Sequence, residues 1–329
     1  MTTPSISVVM PVYNVEAYIL EAVASVLNQS WRDLELLIID DGGQDSSVEM
    51  CRGLRDKRIR IISQENRGLA GARNTGIRNA RGEFIAFLDA DDRWAPQKLA
   101  RHLAHLDGQP DVGVSYSGSR LIDEAGRLIG LNQTPKLSDV GPQDVFLRNP
   151  VGNGSAPVIR RAVFDDIALP SWRSGEFNWF DEDFRQSEDI ECWMRIALTT
   201  KWRFEGVEGL LTEYRVNESG LSANIVRQFD SWDRMRAKVR AADPAFERRW
   251  GARAEAFQLR YLARRAVRMR DRGLALDLVV RAMGLAPLAL LREPLKTATS
   301  LAAAAALRIL PEPAYAALER SVMPRSQPG

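Results

Sequence analysis

The nine residues Phe84–Asp92 constrain the fold of this chain more than any other stretch of its sequence. Phe84–Leu88 is a short apolar run, typical of a strand buried on both faces of a sheet. The run ends at Asp89, Asp91 and Asp92, and isolated carboxylates are costly to bury. The stretch therefore predicts a strand whose end lies at a solvated edge, at a bound cation, or at both.

The aspartates allow two interpretations. Asp89 and Asp91 are two residues apart, so both can turn toward one ligand at a fraying strand end, and carboxylate oxygens at this density suit Mg²⁺ or Mn²⁺. Alternatively, the acidic loop caps the following helix, because carboxylates are favoured near helix N-termini. We expect Asp92 to have this capping role.

The preceding sequence alternates between strand and helix patterns. Strands are predicted at Ile6–Val12, Leu34–Ile39 and Ile59–Ser63. Asn14 is predicted to cap a first helix that runs to about Asn28, because Asn is a good N-cap residue. Alternation at this spacing predicts an α/β fold with a mostly parallel central sheet flanked by helices.

Polar side chains gather where these strands end. They are Tyr13 and Asn14, Asp40 and Asp41, residues 66–73, and Asp89–Asp92. Ligands of open α/β sheets bind at that edge, so four loops are predicted to line one crevice. The first strand is not followed by GxGxxG, and the sequence has no GxxxxGK[ST], which disfavours a dinucleotide-dependent enzyme and a P-loop ATPase.

Three segments resemble the nucleotide-binding half of family-2 glycosyltransferases with the GT-A fold. They are SVVMPVYNVEAYILEAVASVLNQSW, LELLIIDDGGQDSS and ENRGLAGARNTGIRNARGEFIAFLDADD, and the resemblance extends over about residues 5–220. Gly43 departs from the family, which usually has Ser after Asp-Asp-Gly. The resemblance implies a non-processive bacterial enzyme that is inverting and metal-dependent. Such an enzyme moves one sugar from a nucleoside-diphosphate sugar, most often UDP-linked, to an acceptor hydroxyl in cell-surface polysaccharide or glycolipid synthesis.

The resemblance also implies which residues bind the donor. By their position in the motifs these are Pro11, Val12, Tyr13, Glu16, Asp40, Asp41, Asn66, Gly68, Arg73 and Asp89. Tyr13 would stack on the base, and Arg73 would reach the diphosphate or the base. Asp89 and Asp91 match the family's DxD motif, in which Mn²⁺ or Mg²⁺ bridges the diphosphate. A salt bridge to the acidic edge is the alternative role for Arg73.

A second acidic pair, Glu188 and Asp189, begins a predicted helix. The pair resembles the family's ED motif, which implies that Asp189 is the general base for the acceptor hydroxyl and that Glu188 lies beside it or contacts the acceptor. Helix capping is the alternative explanation for both carboxylates.

Weaker indications concern the acceptor side and a lid. Asn153 either contacts the acceptor or belongs to the turn that enters a strand predicted at Ser155–Ile159. The segment from Tyr214 to Ser222 resembles the family's closing segment. It would either fold over the diphosphate as a lid or form an ordinary surface loop, and the residues of interest in it are Tyr214, Arg215, Ser219 and Ser222.

The region after Trp94 is harder to interpret. A helix is predicted at Lys98–Leu106 and a strand at Val112–Tyr116, whereas Leu131 to Asn153 reads as a loop-rich segment. His102 and His105 lie three residues apart on the helix without a third metal ligand nearby in sequence, so we expect them on an exposed or half-packed face.

Charge divides the chain at about residue 226. Residues 1–226 contain 25 basic and 33 acidic residues, whereas residues 227–329 contain 20 and 10. We predict a GT-A domain at 1–226, with a nucleotide-sugar half (1–92) and an acceptor half (93–226), followed by a basic α-helical region at 227–329.

The basic region has a striped helix. Apolar residues repeat at helical spacing, and arginines lie beside them; the two sets are Trp250, Ala254, Phe257 and Tyr261, and Arg249, Arg253, Arg260 and Arg264. Either these helices pack with a solvated basic face, or the arginines contact an anionic membrane and bring the site to a lipid-linked acceptor. No nucleic-acid recognition motif accompanies them, so no nucleic-acid partner is expected.

We expect a cytoplasmic protein, associated with the inner face of the membrane if the basic helices dock there. A strand pattern begins at Ser5 without a signal peptide, and no apolar run is long enough to span a bilayer. Cys51 and Cys192 are expected to be buried thiols. The expected partners are the donor and a sugar or lipid-linked saccharide acceptor.

Two other functions stay open from the residues. A sugar nucleotidyltransferase also uses carboxylate-bound Mg²⁺ on an α/β sheet, but it should have a Gly- and Lys-rich loop where this chain has Pro-Val-Tyr-Asn. A catalytically inactive nucleotide-binding partner protein is the other alternative, and the presence of Asp89, Asp91 and Asp189 argues against it.

Overall fold

The computed structural model describes residues 3–170, 175, 177–217, 225–291 and 293–322. The chain divides into two compact units. The sheet unit consists of Met1–Val145 and Asn149–Gly220, and the helical unit consists of Phe146–Arg148 and Leu221–Gly329.

The sheet unit is built on one large mixed sheet. Its strands follow the order β3-β2-β1-β4-β8-β6-β11-β5, and β7 adds to β6. Their bounds are β1 Ile6–Val12, β2 Leu34–Asp40, β3 Ile59–Ser63, β4 Phe84–Phe87, β5 Arg93–Trp94, β6 Val112–Ile122, β7 Leu128–Gln133, β8 Val158–Arg160 and β11 Arg203–Arg215; β9 Leu169–Pro170 and β10 Phe177–Asn178 form a separate pair.

Among the residues that the structure describes, seven helices accompany these strands in the sequence. They are α1 Ile19–Leu27, α2 Ser47–Arg52, α3 Gly68–Asn79, α4 Lys98–Gly108, α5 Pro142–Arg148, α6 Arg161–Asp166 and α7 Glu188–Thr199. The predicted α/β class with a central sheet and flanking helices is confirmed. The four strands β3, β2, β1 and β4 are parallel, as expected, and β8 joins this half to β6 through antiparallel pairs on both of its edges.

The parallel half places its loops side by side because its strands end in register. Val12 pairs with Asp40, and Asp40 pairs with Ser63, so β1, β2 and β3 finish at one edge. All seven residues of β1 and the whole of β4 are buried, as continuous apolar runs in a parallel sheet require. The polar residues that follow each strand therefore line one common edge.

The predicted start of the first helix is wrong. α1 begins at Ile19, and Asn14 is not its cap. Asn14 instead has a left-handed φ of 51°, and its Oδ1 accepts a hydrogen bond from the backbone N–H of Gln44. The backbone N–H groups of Tyr18 and Ile19 donate to the Val15 carbonyl, so a turn after Asn14 delays the helix.

The middle of the sheet unit contains more regular structure than the sequence predicts. The segment from Leu131 to Asn153 was expected to be loop, yet β7 extends to Gln133 and α5 begins at Pro142. The apolar alternation of β7 is weak because most of its side chains are exposed. The strand expected at Ser155–Ile159 begins only at Val158, because Ser155 is hydrogen-bonded in the turn before it.

The expectation of an exposed or half-packed face is wrong for His102, which is fully buried, whereas His105 is half-buried as expected. Both Nδ1 atoms lie within hydrogen-bonding distance of Ser115 Oγ on β6, at 2.7 and 2.8 Å. They pack α4 onto the sheet, which sequence spacing does not reveal. Cys51 and Cys192 are buried free thiols, as predicted.

The helical unit contains α8 Ile225–Ala242, α9 Pro244–Arg268, α10 Arg272–Leu285, α11 Pro287–Leu290, α12 Pro294–Ile309 and α13 Glu312–Val322. Asp243 and Asp271 cap α9 and α10, because each carboxylate accepts a hydrogen bond from a first-turn backbone N–H. The buried core is rich in small and branched residues, among them Leu262, Ala266 and Val279.

The predicted basic stripe on α9 is wrong in one important member. Arg260 has an exposed fraction of 0%, whereas Tyr261, expected to pack, is 40% exposed. The helix therefore turns a different face inward than its aromatic residues indicate. Within the part of the chain that the structure describes, no helix is both long and apolar enough to span a bilayer.

The contact between α3 and β1 generates a stability prediction. A Cβ atom added at Gly76 would lie 2.1 Å from Val9 Cγ1, inside the core. We expect Gly76→Ala to lower the free energy of unfolding by about 1–3 kcal/mol, because overpacking a rigid core forces a backbone shift. Chemical denaturation measures the change. Gly108→Ala is the control, since a Cβ there meets no atom within 4 Å; equal stabilities of the two variants would contradict the close α3–β1 contact.

Candidate active site

The candidate site is centred on the guanidinium of Arg73. Its Nη2 donates to Asp89 Oδ1 at 2.8 Å, and its Nη1 donates to Glu188 Oε1 at 2.6 Å. Asp89 lies two residues after the end of the buried strand β4, and Glu188 is the first residue of α7. One arginine on α3 thus joins the two acidic motifs, which lie 99 positions apart in the sequence.

Arg73 is held from several sides. Its side chain is only 2% exposed, and the guanidinium lies 5.9 Å from the Phe87 ring centroid and 5.4 Å from that of Phe180. Burial alone would lower the pKa of Arg73, but the charges of Asp89, Glu188 and Asp189 outweigh it and raise that pKa. Arg73 is therefore a permanent cation among three carboxylates.

Ser155 makes two hydrogen bonds with the loop after β4. Its Oγ donates to Asp92 Oδ2 at 2.6 Å and accepts a hydrogen bond from the backbone N–H of Asp89 at 3.0 Å. The other Asp92 oxygen accepts from the Arg215 backbone N–H. The expectation that Asp92 caps the next helix is wrong, since that helix begins at Lys98 with Gln97 as its N-cap residue, and Asp92 is 1% exposed.

The aspartates of this loop repel one another. Burial, and next to it the charge of Asp89, raises the pKa of Asp91 to about 6. Burial raises the pKa of Asp92 well above its ordinary value, and the charges of Asp91 and Asp89 add to that effect. The structure thus brings Asp89 and Asp91 within electrostatic range of each other, as the DxD spacing predicts.

This donor set fits a divalent cation that also binds a substrate. Asp89 and Asp91 offer hard carboxylate oxygens, and Asn217 Nδ2 holds Asp91 Oδ2 at 3.0 Å. Among the described residues no group of three or more His, Cys, Asp or Glu side chains is placed to hold a metal. Two carboxylates would suit a Mg²⁺ ion that takes its other ligands from phosphates and water.

Glu188 and Asp189 lie in the first turn of α7, which follows Ser187 in a left-handed conformation with φ of 60°. Glu188 is buried, and burial raises its pKa to about 7 although Arg73 opposes the shift. Asp189 is half-buried. Burial raises its pKa too, again against the attraction of Arg73. The capping alternative explains neither the burial of Glu188 nor its ion pair.

The acidic pair after β2 has a different environment. Asp41 is buried and accepts hydrogen bonds from Gln64 Nε2 at 2.6 Å and from the backbone N–H groups of Arg67 and Gly68 at 2.8 and 2.9 Å. Asp40 accepts from Ser63 Oγ at 2.9 Å. These bonds shape the loop between β3 and α3, so Asp41 positions Gly68, at which α3 begins.

The other predicted donor residues lie at the same sheet edge. Pro11 and Val12 end β1 and are buried, whereas Tyr13 follows them with 51% of its surface exposed. Glu16 is exposed, and its Oε2 accepts a hydrogen bond from the Ser46 backbone N–H. Asn66 is exposed beside Gly68.

Of the predicted acceptor-side and lid residues, Asn153 and Arg215 are buried and make hydrogen bonds within the protein. Asn153 is buried, and its amide nitrogen donates to Ser119 Oγ and to Gln133 Oε1. Arg215 is buried with its guanidinium 4.4 Å from the Tyr18 ring, and its Nε donates to the Asp91 carbonyl oxygen. Tyr214 is half-buried on β11. Ser219 and Ser222 lie outside the described residues.

Several neighbours of the site escape the sequence patterns. Asn74, next to Arg73, donates to the Phe180 carbonyl and accepts from its N–H, so it fixes the segment that holds Phe180. Glu182 is buried and pairs with Arg67 at 2.5 Å. Both polar residues are buried although nothing in their spacing indicates it. Only the Ala-Gly-Ala-Arg-Asn string could have pointed to Asn74.

Comparison with known proteins finds similarity to glycosyltransferases. The family model described as "Glycosyl transferase family 2" matches residues 7–168. An uncharacterized glycosyltransferase of Rickettsia felis is 33% identical over 216 residues, which is 64% of this chain; the chain spans 33% of that relative's length. The Escherichia coli protein described as "UDP-Glc:alpha-D-GlcNAc-diphosphoundecaprenol beta-1,3-glucosyltransferase WfgD" is 28% identical over 230 residues, covering 69% of this chain and 84% of that protein.

Two solved structures share the fold. S. aureus TarS 1-349 in complex with UDP-GlcNAc has a TM-score of 0.60 at 18% identity, covering 92% of this chain and 91% of that one. Mannosyltransferase PcManGT from Pyrobaculum calidifontis, in complex with GDP-Man and Mn²⁺, has a TM-score of 0.56 at 20% identity, covering 94% and 88%. At these identities the likeness is one of fold.

Gly154 provides a test of how tightly Arg73 is held. A Cβ atom there would lie 2.2 Å from Arg73 Nη2 and 3.2 Å from Asp89 Oδ2. We expect Gly154→Ala to lower the free energy of unfolding by about 1–3 kcal/mol, because the guanidinium cannot leave its two carboxylates cheaply.

A double-mutant cycle with Arg73→Lys separates this cause from a general defect. Lysine lacks the forked guanidinium that the new methyl group would meet, so the two substitutions together should cost less than the sum of their separate costs. Strict additivity in denaturant unfolding would show that the methyl group disturbs something other than the Arg73 pairing.

Proposed function

We propose that this chain, whose residues 7–168 match the family model of glycosyltransferase family 2, transfers one sugar from a nucleoside-diphosphate sugar to an acceptor hydroxyl, with a divalent metal and with inversion. The observation that carries the proposal is the double ion pair of Arg73 with Asp89 and Glu188. It joins the carboxylate pair suited to a metal–diphosphate with the carboxylate pair suited to proton transfer.

The donor would bind along the edge where β1, β2 and β4 end. Tyr13 is exposed there and available to stack on the base, above the buried Pro11 and Val12. Glu16, Asp40 and Asp41 would face the ribose or the base. Asn66 and Gly68 would line the approach to the diphosphate, with UDP as the nucleotide that the family resemblance favours.

Asp89 and Asp91 would hold Mn²⁺ or Mg²⁺, which as a Lewis acid would stabilise the charge of the departing nucleoside diphosphate. Arg73 adds a fixed positive charge next to the same group. Asp89 Oδ1 accepts from Arg73, so the same carboxylate would link the cation to this fixed charge.

Asp189 would act as the general base. The acceptor oxygen attacks the anomeric carbon, the bond from that carbon to the diphosphate oxygen breaks, and the acceptor proton passes to Asp189. A single in-line displacement inverts the anomeric centre and needs no nucleophile from the protein. Burial raises the pKa of Asp189, which brings the carboxylate closer to the proton affinity that a base needs near neutral pH.

Glu188 would position the first turn of α7 and would not itself exchange protons. Its ion pair with Arg73 fixes the first turn of α7 and so the direction of the Asp189 side chain. Asn153 and Arg215 hold neighbouring loops, whereas Tyr214 lies nearer the surface of the acceptor half.

The acceptor would be a sugar or a lipid-linked saccharide, in the synthesis of cell-surface polysaccharide or glycolipid. The name of the E. coli relative, which includes a diphosphoundecaprenol acceptor, supports this class. We propose that the protein works at the cytoplasmic face of a membrane, with residues 227–329 as a separate basic region. Arg249, Arg253 and Arg264 are exposed and could contact anionic lipid, whereas Arg260 is buried and could not.

Replacing Asp189 by Asn tests the catalytic assignment. We expect transfer and donor hydrolysis to fall by about 10²–10⁴-fold, because the amide cannot accept the acceptor proton. Donor binding, measured by calorimetry with UDP-sugars and Mn²⁺, should stay within about threefold of the wild type, since Asp189 contacts the acceptor and not the nucleotide.

The matched control is Asp165→Asn, which makes the same change on the exposed end of α6 and should leave turnover unaltered. Wild-type turnover in Asp189→Asn would refute the base assignment. A wild-type protein that binds donor yet neither hydrolyses nor transfers sugar would instead identify an inactive partner protein.

Metal binding should depend on pH through Asp91. Its pKa is raised to about 6, so Asp91 takes up a proton as the pH falls through that value. Protons then compete with the cation, and the apparent Kd for Mn²⁺ in the presence of UDP should rise by about tenfold per pH unit below the pKa. Calorimetry on either side of pH 6 measures it, and Asp91→Asn should abolish the pH dependence. A pH-independent Kd in the wild type would contradict Asp91 as a ligand.

A further inference from the structure

A cluster of cations surrounds Glu293 in the helical unit. Arg148, Arg260 and Lys296 all pair with this carboxylate, Lys296 at 3.2 Å. Arg264 lies one turn after Arg260 on α9. The cluster draws on α5, α9 and the start of α12, so residues from three separate segments of the sequence converge on one place.

Arg260 is the most constrained member. Its side chain has no solvent exposure, and its Nη1 donates to Thr297 Oγ1 at 2.7 Å. Its Nε is buried, and no described group accepts a hydrogen bond from it. Arg148 and Arg260 share the ring of Phe257, at 4.0 and 5.3 Å from its centroid. A buried guanidinium with an unused donor is costly, so the site is incomplete as it stands.

The charges of the cluster do not balance. Among the described residues, Arg148, Arg260 and Lys296 pair with the one carboxylate of Glu293, and the charge of Arg264 acts on all three of these cations. Burial, with the charge of Arg264, lowers the pKa of Arg148 to about 10, and burial, with the charges of Arg148 and Arg264, lowers the pKa of Arg260 to about 10. The pKa of Lys296 is lowered by burial and by all three arginines. A bound anion would relieve this repulsion.

We propose that Arg148, Arg260, Arg264 and Lys296 form an anion site for a phosphate or diphosphate group. The arginines offer planar forked donors that match phosphate oxygens, and Lys296 adds a mobile point charge. The site also lies at the N-terminus of α12, a helix of 16 residues whose dipole favours an anion. Glu293 occupies the place of the anion and competes with it.

This site is distinct from the donor-binding residues, which all belong to the sheet unit. Its ligand could be a soluble phosphate compound or the phosphate of a lipid headgroup. Both present the same oxygen atoms to the arginines, so the experiment must separate the two sources.

Calorimetric titration with inorganic pyrophosphate in the presence of EDTA tests the proposal without depending on sugar transfer. Removing the metal suppresses binding of pyrophosphate at the Asp89–Asp91 pair. We expect Lys296→Gln and Arg264→Gln each to raise the Kd for pyrophosphate by about tenfold or more, because each removes one charge-assisted contact. Both side chains are exposed, so these variants should fold.

Two further variants sharpen the result. Arg249→Gln and Arg253→Gln remove equally exposed arginines from the same helix, next to Trp250, and should leave the Kd unchanged. Glu293→Gln should lower the Kd, because it removes the competing carboxylate while keeping a side chain of the same size. Equal losses in all four Gln variants of the cations would show unspecific attraction, and would overturn the proposal, as would a raised Kd in Glu293→Gln.

Vesicles identify the source of the phosphate. If the ligand is a headgroup, the wild type should sediment with phosphatidylcholine vesicles that contain phosphatidic acid, and pyrophosphate or Lys296→Gln should release it. If the ligand is soluble, pyrophosphate should bind with the same variant pattern while vesicles do not compete. Absence of binding in both arms would refute the site.

Discussion

The sheet unit depends on one buried cation. Arg73 is placed by α3 between the rings of Phe87 and Phe180, and its two terminal nitrogens bind carboxylates from opposite ends of the site. Either ion pair alone would be an expensive way to bury charge, because desolvation often exceeds the attraction. Together they align the end of β4 with the start of α7, and the proposed metal and proton-transfer positions follow from that alignment.

The arginine does not neutralise its surroundings. Asp89, Glu188 and Asp189 all act on it electrostatically. The pKa values of Asp91, Asp92, Glu188 and Asp189 are raised, in each case chiefly by burial. A folded protein that retains excess negative charge in a partly buried place is prepared for a positively charged or proton-donating ligand. A divalent cation that binds together with a diphosphate would be the positively charged ligand, and an acceptor hydroxyl that gives up its proton would be the proton-donating ligand.

Sequence patterns predict the parallel half of the fold well, because its strands are continuous apolar runs with turns between them. They also predict that Asp89 and Arg73 lie at one sheet edge, and the family resemblance adds Asp189. They fail where a residue's environment comes from distant parts of the chain. The predictions for Asn14 and His102 are wrong because Asn14 is hydrogen-bonded to Gln44 and His102 lies within hydrogen-bonding distance of Ser115. The prediction for Asp92 is wrong because Ser155, 63 positions away, donates a hydrogen bond to its carboxylate. Arg260 was misjudged because Glu293 and Thr297, which lie on another helix or just before it, draw it inward. Helical periodicity within α9 cannot predict contacts with Glu293 or Thr297, because both residues lie outside that helix.

Each of the two units contains a cluster of side chains with an excess of one charge, negative in the sheet unit and positive in the helical unit. In the sheet unit carboxylates outnumber the cations that face them, and in the helical unit the cations around Glu293 outnumber their carboxylate. Charges of this kind are rarely kept for stability, since well-packed apolar residues would serve a core at lower cost. Their retention is therefore better explained by ligands that complete the balance. For the carboxylates the proposed ligand is a metal–diphosphate, and for the arginines the proposed ligand is a phosphate group, toward which the unused Nε of Arg260 points. Under these two assignments the protein binds a diphosphate through a metal cation in the sheet unit and a phosphate or diphosphate directly through arginine in the helical unit.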